Sequence, residues 1–201
     1  YSVFPYTNVT PQEACICEPV SCVIHSVETV NPQFGDACVI IGAGIMGLLH
    51  TQLCVKKGCF VIVVDMNEER LEMAASMGAH YTINPHKEHA EKRIMKITHG
   101  RKARAVFDTT PAASVVEEAC RYVGNMGKLM IYSGIYPNKP VQMDAHWIHK
   151  GSIQILGTAN SNDRDFMRAA CMISEGIIDV KPFISGVYPV EEVSSALASS
   201  C

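Results

Sequence analysis

The chain has 201 residues, of which 48% are hydrophobic and 18% charged, and its net charge is −3. This composition excludes disordered and fibrous proteins and fits one globular domain, or one domain with a fragment of a second. The near balance of 17 basic and 20 acidic residues indicates neither a nucleic-acid nor a membrane partner.

The nine cysteines are scattered, odd in number and often placed in apolar runs. Most of them are therefore predicted to be reduced and buried, as in a cytoplasmic protein. The longest apolar stretch, residues 37–49, is too short to cross a bilayer. The first residues show no signal-peptide pattern and no initiator Met, so we expect the chain to begin in mid-protein.

The first 33 residues differ from the rest of the chain. Thr10 is a predicted helix N-cap, followed by a proline and by Glu13 at the capping-box position. Glu18 precedes Pro19, which predicts a break or kink there, before a second helix that runs to about residue 30.

From residue 34 onward, short apolar runs alternate with amphipathic segments. Strands are predicted at residues 38–42, 60–65, 81–84, 105–108, 128–133 and 153–157. Helices are predicted at residues 45–57, 68–77, 87–98, 113–122 and 163–175, with another at 189–200. Continuous apolar strands between helices indicate a parallel sheet covered on both faces, so the predicted fold class is a doubly wound α/β (Rossmann) domain.

The segment VIIGAGIMGLLH, residues 39–50, places three glycines between a predicted strand and a predicted helix. Gly42 would allow the tight turn, Gly44 would let a pyrophosphate approach the backbone, and Gly47 would let the helix pack closely on the strand. Asp65 ends the next strand, where dinucleotide sites carry an acidic residue. The alternative is a glycine-lined packing site without a ligand.

Asp65 also bears on the choice of cofactor. A carboxylate accepts hydrogen bonds from both hydroxyls of an adenosine ribose but repels a phosphate at that position. The residues that follow, MNEE, place no cation beside it. These features favour NAD over NADP.

Five segments in order resemble the medium-chain dehydrogenases, in particular the zinc-dependent polyol (sorbitol) and threonine dehydrogenase branch. They are CEPVSCVIHSVE, GAGIMG, VVDMNEERLEMAASMGA, GNMGKLMIYSG and IQILGTANSNDRDFMRA, and they cover nearly the whole chain. The resemblance implies a cofactor domain at residues 34–188. Residues 1–33 would be linking helices from the catalytic-domain junction, and residues 189–201 would begin the helix that returns to a catalytic domain largely absent from this sequence.

The resemblance also implies roles for individual residues. Glu18 corresponds to an acidic residue at or near the catalytic zinc, and Asp65 and Arg70 to contacts with the adenosine ribose. The full set of implied cofactor contacts is Gly42, Gly44, Ile45, Met46, Gly47, Asp65, Arg70, Ser133, Gly134, Ile135, Thr158 and Ala159. Pro111 stands where relatives often have glycine, which puts the geometry near the adenine edge in question.

Four other groups have both a chemical and a structural interpretation. Cys15, Cys17 and Cys22 could form a metal knuckle, but no second pair follows, and structural cysteines are favoured. His146 and His149 have a spacing that could chelate zinc, with ordinary structural or surface histidines favoured.

His25 is predicted to be a partly buried, hydrogen-bonded imidazole. The basic segment at residues 86–104 alternates with apolar residues, as a solvated helix face does, so nucleic-acid binding is not favoured.

The resulting hypothesis is the NAD-binding domain of a zinc-dependent dehydrogenase that acts on a small secondary alcohol or polyol, with the zinc site mostly in the missing domain. Such a fragment is expected to bind NAD and to be inactive alone. Alternatives are a zinc-free NADP-dependent reductase of the same superfamily and a stand-alone dinucleotide-sensing module. In relatives the edge strand near residues 184–187 pairs subunits, which favours a homodimer, with a homotetramer as the alternative.

Overall fold

The computed structural model describes residues 3–199 and contains a six-stranded sheet of order β3-β2-β1-β4-β5-β6. The strands are β1 (Ala37–Ile41), β2 (Phe60–Val64), β3 (Tyr81–Ile83), β4 (Ala103–Asp108), β5 (Val123–Ile131) and β6 (Gln154–Gly157). All five ladders are parallel. The predicted doubly wound parallel sheet is therefore confirmed.

Helices connect and flank the strands. They are α1 (Pro11–Ala14), α2 (Cys17–Val30), α3 (Ile45–Lys56), α4 (Glu68–Ser76), α5 (Ala90–Ile97), α6 (Ala113–Ala119), α7 (Ala145–Gly151), α8 (Asp163–Ser174) and α9 (Val193–Ser199). Short 3₁₀ turns lie at Cys120–Tyr122, Lys181–Phe183 and Val190–Glu192. No helix within residues 3–199 is long and apolar enough to cross a membrane.

Each face of the sheet has its own apolar core. Successive side chains of a strand point to opposite faces, so Cys38 and Ile40 of β1 join the core beneath α2, α3 and α8. Val39 and Ile41 join the core beneath α5 and α6. A strand buried on both faces needs an apolar residue at nearly every position, which explains the unbroken apolar runs in the sequence.

The N-terminal helices differ from the prediction in one respect. The Thr10–Glu13 capping box is present, but the helix breaks at residues 15–16, and Glu18 and Pro19 lie inside the first turn of α2. The predicted break at Glu18 is therefore wrong. The first turn of a helix tolerates proline because amides there have no intrahelical acceptor to lose.

Two features of the second half of the chain were also not predicted. α7 contains His146 and His149, and no helix was expected there. β5 begins at Val123, five residues before the predicted start at Lys128, because its pairing with β4 shifts register between Ala103 and Ala105. Residues 124–127 form this irregularity.

The segment at residues 184–187 forms no strand in the described part of the chain. The expected edge strand is therefore not seen, since a strand is defined by a ladder and these residues pair with no strand in residues 3–199. The sheet ends at β6 on one side and β3 on the other. Pairing of subunits through this segment stays a prediction.

Candidate functional site

The glycine turn lies between the end of β1 and the start of α3. Gly42 has a φ of +90°, a conformation that favours glycine. The Thr109 hydroxyl, at the end of β4, donates a hydrogen bond of 2.8 Å to the carbonyl of Ile41. A Cβ added at Gly47 would lie 1.8 Å from the carbonyl oxygen of Gly42, so the helix lies too close to the turn for a residue larger than glycine.

The space beside Gly44 is open, in contrast to the crowded position of Gly47. Apart from its chain neighbours, no described atom lies within 4 Å of the position that a Cβ would occupy there. Gly44 is the N-cap of α3 and makes no side-chain cap hydrogen bond. The first amides of a helix lack intrahelical acceptors, so an open space beside the backbone and donors for an anion coincide at this point. A dinucleotide pyrophosphate fits this cradle, with the exposed Ile45 and half-buried Met46 following it.

Asp65 follows β2 and lies beside the glycine turn. Its Oδ2 accepts a hydrogen bond of 2.6 Å from the main-chain amide of Ala43, and its Oδ1 accepts one of 2.8 Å from the amide of Asn67. The carboxylate is therefore fixed in orientation by two amides, one of them in the glycine turn itself. The motif predicted that Asp65 would be near the turn, but not this bond to Ala43.

The residues after Asp65 begin α4. The Asn67 side chain caps this helix by accepting a hydrogen bond of 3.1 Å from the amide of Arg70. Arg70 is exposed one turn beyond Asp65. Arg70 thus lies in the first turn of the helix that begins just after Asp65, and its proposed contact with the ribose stays a prediction.

The loops implied for the nicotinamide end follow β5 and β6, two neighbouring strands. The Ser133 hydroxyl donates a hydrogen bond of 2.9 Å to the Thr109 carbonyl, which ties this loop to β4. Gly134 is exposed and Ile135 is half-buried. The hydroxyl of Thr158 is buried and makes no hydrogen bond within residues 3–199, and Ala159 is exposed.

Glu18 is exposed near the same end of the sheet. Its Oε1 accepts a hydrogen bond of 3.1 Å from the thiol of Cys22, and the hydroxyls of Ser21 and Ser161 lie 2.7 Å apart. Burial raises the pKa of Tyr132, and the nearby Cys22 and Glu18 raise it further. Glu18 thus lies beside the ends of β5 and β6.

A zinc site is not complete in this part of the chain. Within residues 3–199 no three His, Cys, Asp or Glu side chains come together in a way that could hold a metal ion. Cys15 is exposed and Cys17 is buried in the core, while His146 and His149 are both exposed. The described residues alone therefore do not fit a bound zinc ion.

The remaining candidates have ordinary structural contacts. His25 is partly exposed, and its Nδ1 lies 2.7 Å from Oδ2 of Asp165, as expected for a hydrogen-bonded imidazole. In the basic segment, Lys102 pairs with Glu91 at 2.9 Å. The amide of Tyr136 donates a hydrogen bond of 3.3 Å to the carbonyl of Pro111.

Two buried polar side chains near the glycine turn were missed by the sequence analysis. His50 of α3 is fully buried, and this burial lowers its pKa to about 4. Its Nδ1 lies 2.7 Å from the carbonyl oxygen of Met46, which can only accept, so Nδ1 carries the proton. Nε2 therefore accepts the hydrogen bond of 3.0 Å from the Ser26 hydroxyl. The signal in the sequence was a histidine four residues after Met46 of the glycine motif.

The second buried polar side chain is that of Asp108, at the end of β4. Its Oδ1 accepts hydrogen bonds from the amide and the hydroxyl of Thr110, at 3.0 and 2.7 Å. Its Oδ2 is buried and has no hydrogen-bond partner within residues 3–199. Burial raises the pKa of this carboxyl to about 6. An acidic residue closing an apolar strand was the signal in the sequence.

The parallel sheet, the strand–glycine turn–helix unit and the acidic residue after β2 together define a dinucleotide-binding Rossmann domain. The family model described as zinc-binding dehydrogenase matches residues 46–175 of this chain. The chain therefore belongs to the zinc-binding dehydrogenase family, and the resemblance to medium-chain dehydrogenases is confirmed.

Individual relatives agree with this assignment. The chain is 30% identical to D-arabinitol dehydrogenase 1 of Uromyces fabae, over 97% of this chain and 57% of the relative. It is 30% identical to L-threonine 3-dehydrogenase of Bacillus subtilis, over 92% and 53%. A crystal structure of an Escherichia coli oxidoreductase of unknown specificity superposes with a TM-score of 0.88 at 28% identity, over 98% and 56%. The chain thus spans about half the length of the relatives it matches.

Proposed function

We propose that this chain is the NAD-binding part of a zinc-dependent dehydrogenase that transfers hydride between a secondary alcohol or polyol and NAD. The observation that carries the proposal is the Asp65 carboxylate bonded to Ala43 of the glycine turn, next to the open position at Gly44. The arabinitol and threonine dehydrogenases among the relatives support the substrate class, because their names specify hydroxyl-bearing substrates.

Each part of the site has a proposed task in binding the cofactor. The open backbone at Gly44 and the first amides of α3 hold the pyrophosphate. Asp65 and Arg70 bind the adenosine ribose, and the loops after β5 and β6 orient the nicotinamide ring. The bound nicotinamide supplies the hydride acceptor, so the task of this part of the protein is to place that ring.

The proposed preference for NAD depends on the charge and the fixed orientation of the Asp65 carboxylate. Two main-chain amides hold the Asp65 carboxylate in a fixed orientation. Each carboxylate oxygen has further acceptor capacity, which suits the two ribose hydroxyls. A phosphate on the ribose would instead meet a negative charge that cannot turn away, because both oxygens are already bonded.

Glu18 is proposed to lie near a zinc ion whose other ligands come from outside the described residues. This proposal is supported by the exposure of Glu18 and by its place beside the ends of β5 and β6. Since no three metal-binding side chains come together within residues 3–199, we expect the 201 residues alone to bind NAD without turnover. The division into residues 1–33, 34–188 and 189–201 remains part of the same proposal.

Calorimetric titration of the 201-residue chain with NADH and NADPH tests the cofactor site. We expect tighter binding of NADH, and at least a tenfold loss of NADH affinity in Asp65→Asn, which keeps the size of the side chain but removes its charge. Asp36→Asn is the matched control, because Asp36 also accepts a main-chain hydrogen bond but precedes β1 at the opposite edge of the sheet. Equal NADH affinity in both variants would contradict the role of Asp65.

The expected lack of turnover is tested separately. The chain is incubated with zinc, NAD and sorbitol, threonine or butanediol, and the formation of NADH is followed by absorbance. Sustained formation of NADH above the rate without alcohol would overturn the proposal that this part of the protein is inactive by itself.

A further inference from the structure

A second carboxylate lies at the adenosine end of the site. Glu68 is the first residue of α4 and is about half-exposed. Its Oε1 accepts a hydrogen bond from the side-chain amide of Asn84, which directly follows β3. The same oxygen lies 3.0 Å from the ammonium group of Lys87.

This group lies next to Asp65. The amide of Asp65 donates a hydrogen bond of 3.2 Å to the carbonyl of Ile83, so the ends of β2 and β3 are side by side. The Asn84 side chain also donates a hydrogen bond of 3.0 Å to the carbonyl of Met66, the residue after Asp65. The Glu68 carboxylate is therefore held at the carboxyl ends of these two strands, which is the edge where parallel sheets bind ligands.

Lys87 is the residue of this group that bears on the choice between NAD and NADP. A lysine at the edge of the ribose site is the type of residue that would bind a 2′-phosphate of NADP as a point charge. Here its ammonium group is paired with Glu68, and Asn84, another donor near this edge, is bonded to the same carboxylate. The hydrogen bond from Asn84 and the nearby Lys87 lower the pKa of Glu68.

We infer that Glu68 is a second specificity-determining residue, which disfavours NADP by repelling a 2′-phosphate and by engaging Lys87 and Asn84. This inference rests on the proposed function, since it assumes that the adenosine ribose lies at Asp65. It assigns discrimination between cofactors to two carboxylates, of which Asp65 binds the ribose and Glu68 does not.

The test is the ratio of NADH to NADPH affinity in Glu68→Gln, measured by calorimetry. Glutamine can still accept the hydrogen bond from Asn84, but it no longer attracts Lys87 or repels a phosphate. We expect NADPH to bind about fivefold more tightly than to the unchanged chain, the size of effect that a surface charge pair gives, with NADH affinity unchanged. Titration with 2′,5′-ADP and 5′-AMP shows whether the gain depends on the 2′-phosphate.

Two further variants make the result specific. Glu69→Gln removes the same charge at the next, exposed position of α4 and should leave the ratio unchanged. Lys87→Met in the Glu68→Gln background should remove the gain in NADPH affinity, because the released ammonium group is then absent. Thermal unfolding of each variant shows that the domain remains folded.

The outcomes separate the inference from the proposed function. If the unchanged chain prefers NADH and Glu68→Gln binds NADPH no better than Glu69→Gln does, the role of Glu68 is overturned while the NAD site stands. If the unchanged chain binds neither nucleotide, the proposed function fails and the role of Glu68 fails with it.

Discussion

Gly47 packs so closely against Gly42 that a Cβ at position 47 would lie 1.8 Å from the carbonyl oxygen of Gly42. The obstacle is backbone, which cannot swing aside as a flexible side chain can. This contact sets the distance between α3 and the end of β1, and thus the shape of the turn on which the proposed pyrophosphate site depends.

Gly47→Ala should therefore destabilise the fold. The turn or the helix must shift to admit the methyl group, and we expect a loss of about 1–3 kcal/mol in the free energy of unfolding, the usual range for overpacking. Urea denaturation followed by circular dichroism measures this loss. A variant as stable as the unchanged chain would show that the turn can move freely.

Gly44→Ala should weaken cofactor binding while leaving the stability of the fold almost unchanged. Its backbone conformation suits any residue and the space beside it is open, so stability should change by no more than about 1 kcal/mol. The methyl group would, however, occupy the approach to the backbone, and NADH affinity should fall at least tenfold. Unchanged affinity, measured by the same calorimetric titration, would place the pyrophosphate elsewhere.

Asp108→Asn tests the buried carboxyl at the end of β4. Because its folded pKa of about 6 is above the usual value of 3.8, the folded state binds this proton more tightly, and stability should decrease as the pH rises from 4 to 6. The unchanged chain should lose about 1–3 kcal/mol over that range relative to the variant.

Denaturant unfolding at pH 4.5, 6 and 7.5 measures this difference. Glu72→Gln, on the exposed surface of α4, is the control for removing a carboxylate. Parallel stability curves for Asp108→Asn and the unchanged chain would show that the carboxyl does not titrate in this range.

His50 should lower the stability of the fold as the pH falls, whereas Asp108 lowers it as the pH rises. Its folded pKa of about 4 is below the usual value of 6.5, so the stability that neutral His50 contributes is lost as the pH falls through this range. In an Asp108→Asn background, where the opposing carboxyl is absent, we expect a loss of about 1–3 kcal/mol between pH 6.5 and 4.

His50→Gln in the same background should reduce that loss. At pH 7 this variant should itself be less stable, because the hydrogen bonds to Met46 and Ser26 are disturbed. The two stability curves should therefore converge as the pH falls. A gap of constant size would show that His50 does not drive the acid response.

Much of the fold could be predicted from residue patterns. The run FVIVV became β2, and the strand–glycine turn–helix unit formed around Gly42 as expected. These predictions succeed because a strand in a two-faced sheet needs apolar residues throughout, and because glycine is favoured where φ is positive.

The failures are local and have physical causes. The helix break fell at residues 15–16 rather than at Glu18, because a first helical turn accepts proline. The start of β5 was missed because its first residues depend on an irregular register with β4, and a register is a property of two strands rather than one.

The sequence by itself determined the layered α/β class, the family and the position of the glycine turn, because these depend on residue patterns that can be read along the chain. Only the tertiary structure decided that Asp65 bonds to the amide of Ala43, 22 residues away, and that Glu68 meets Asn84 and Lys87. It likewise decided that Asp108 and His50 are buried. Apolar periodicity predicts which face of an element is covered, whereas the partner of a polar side chain depends on how distant segments pack against each other.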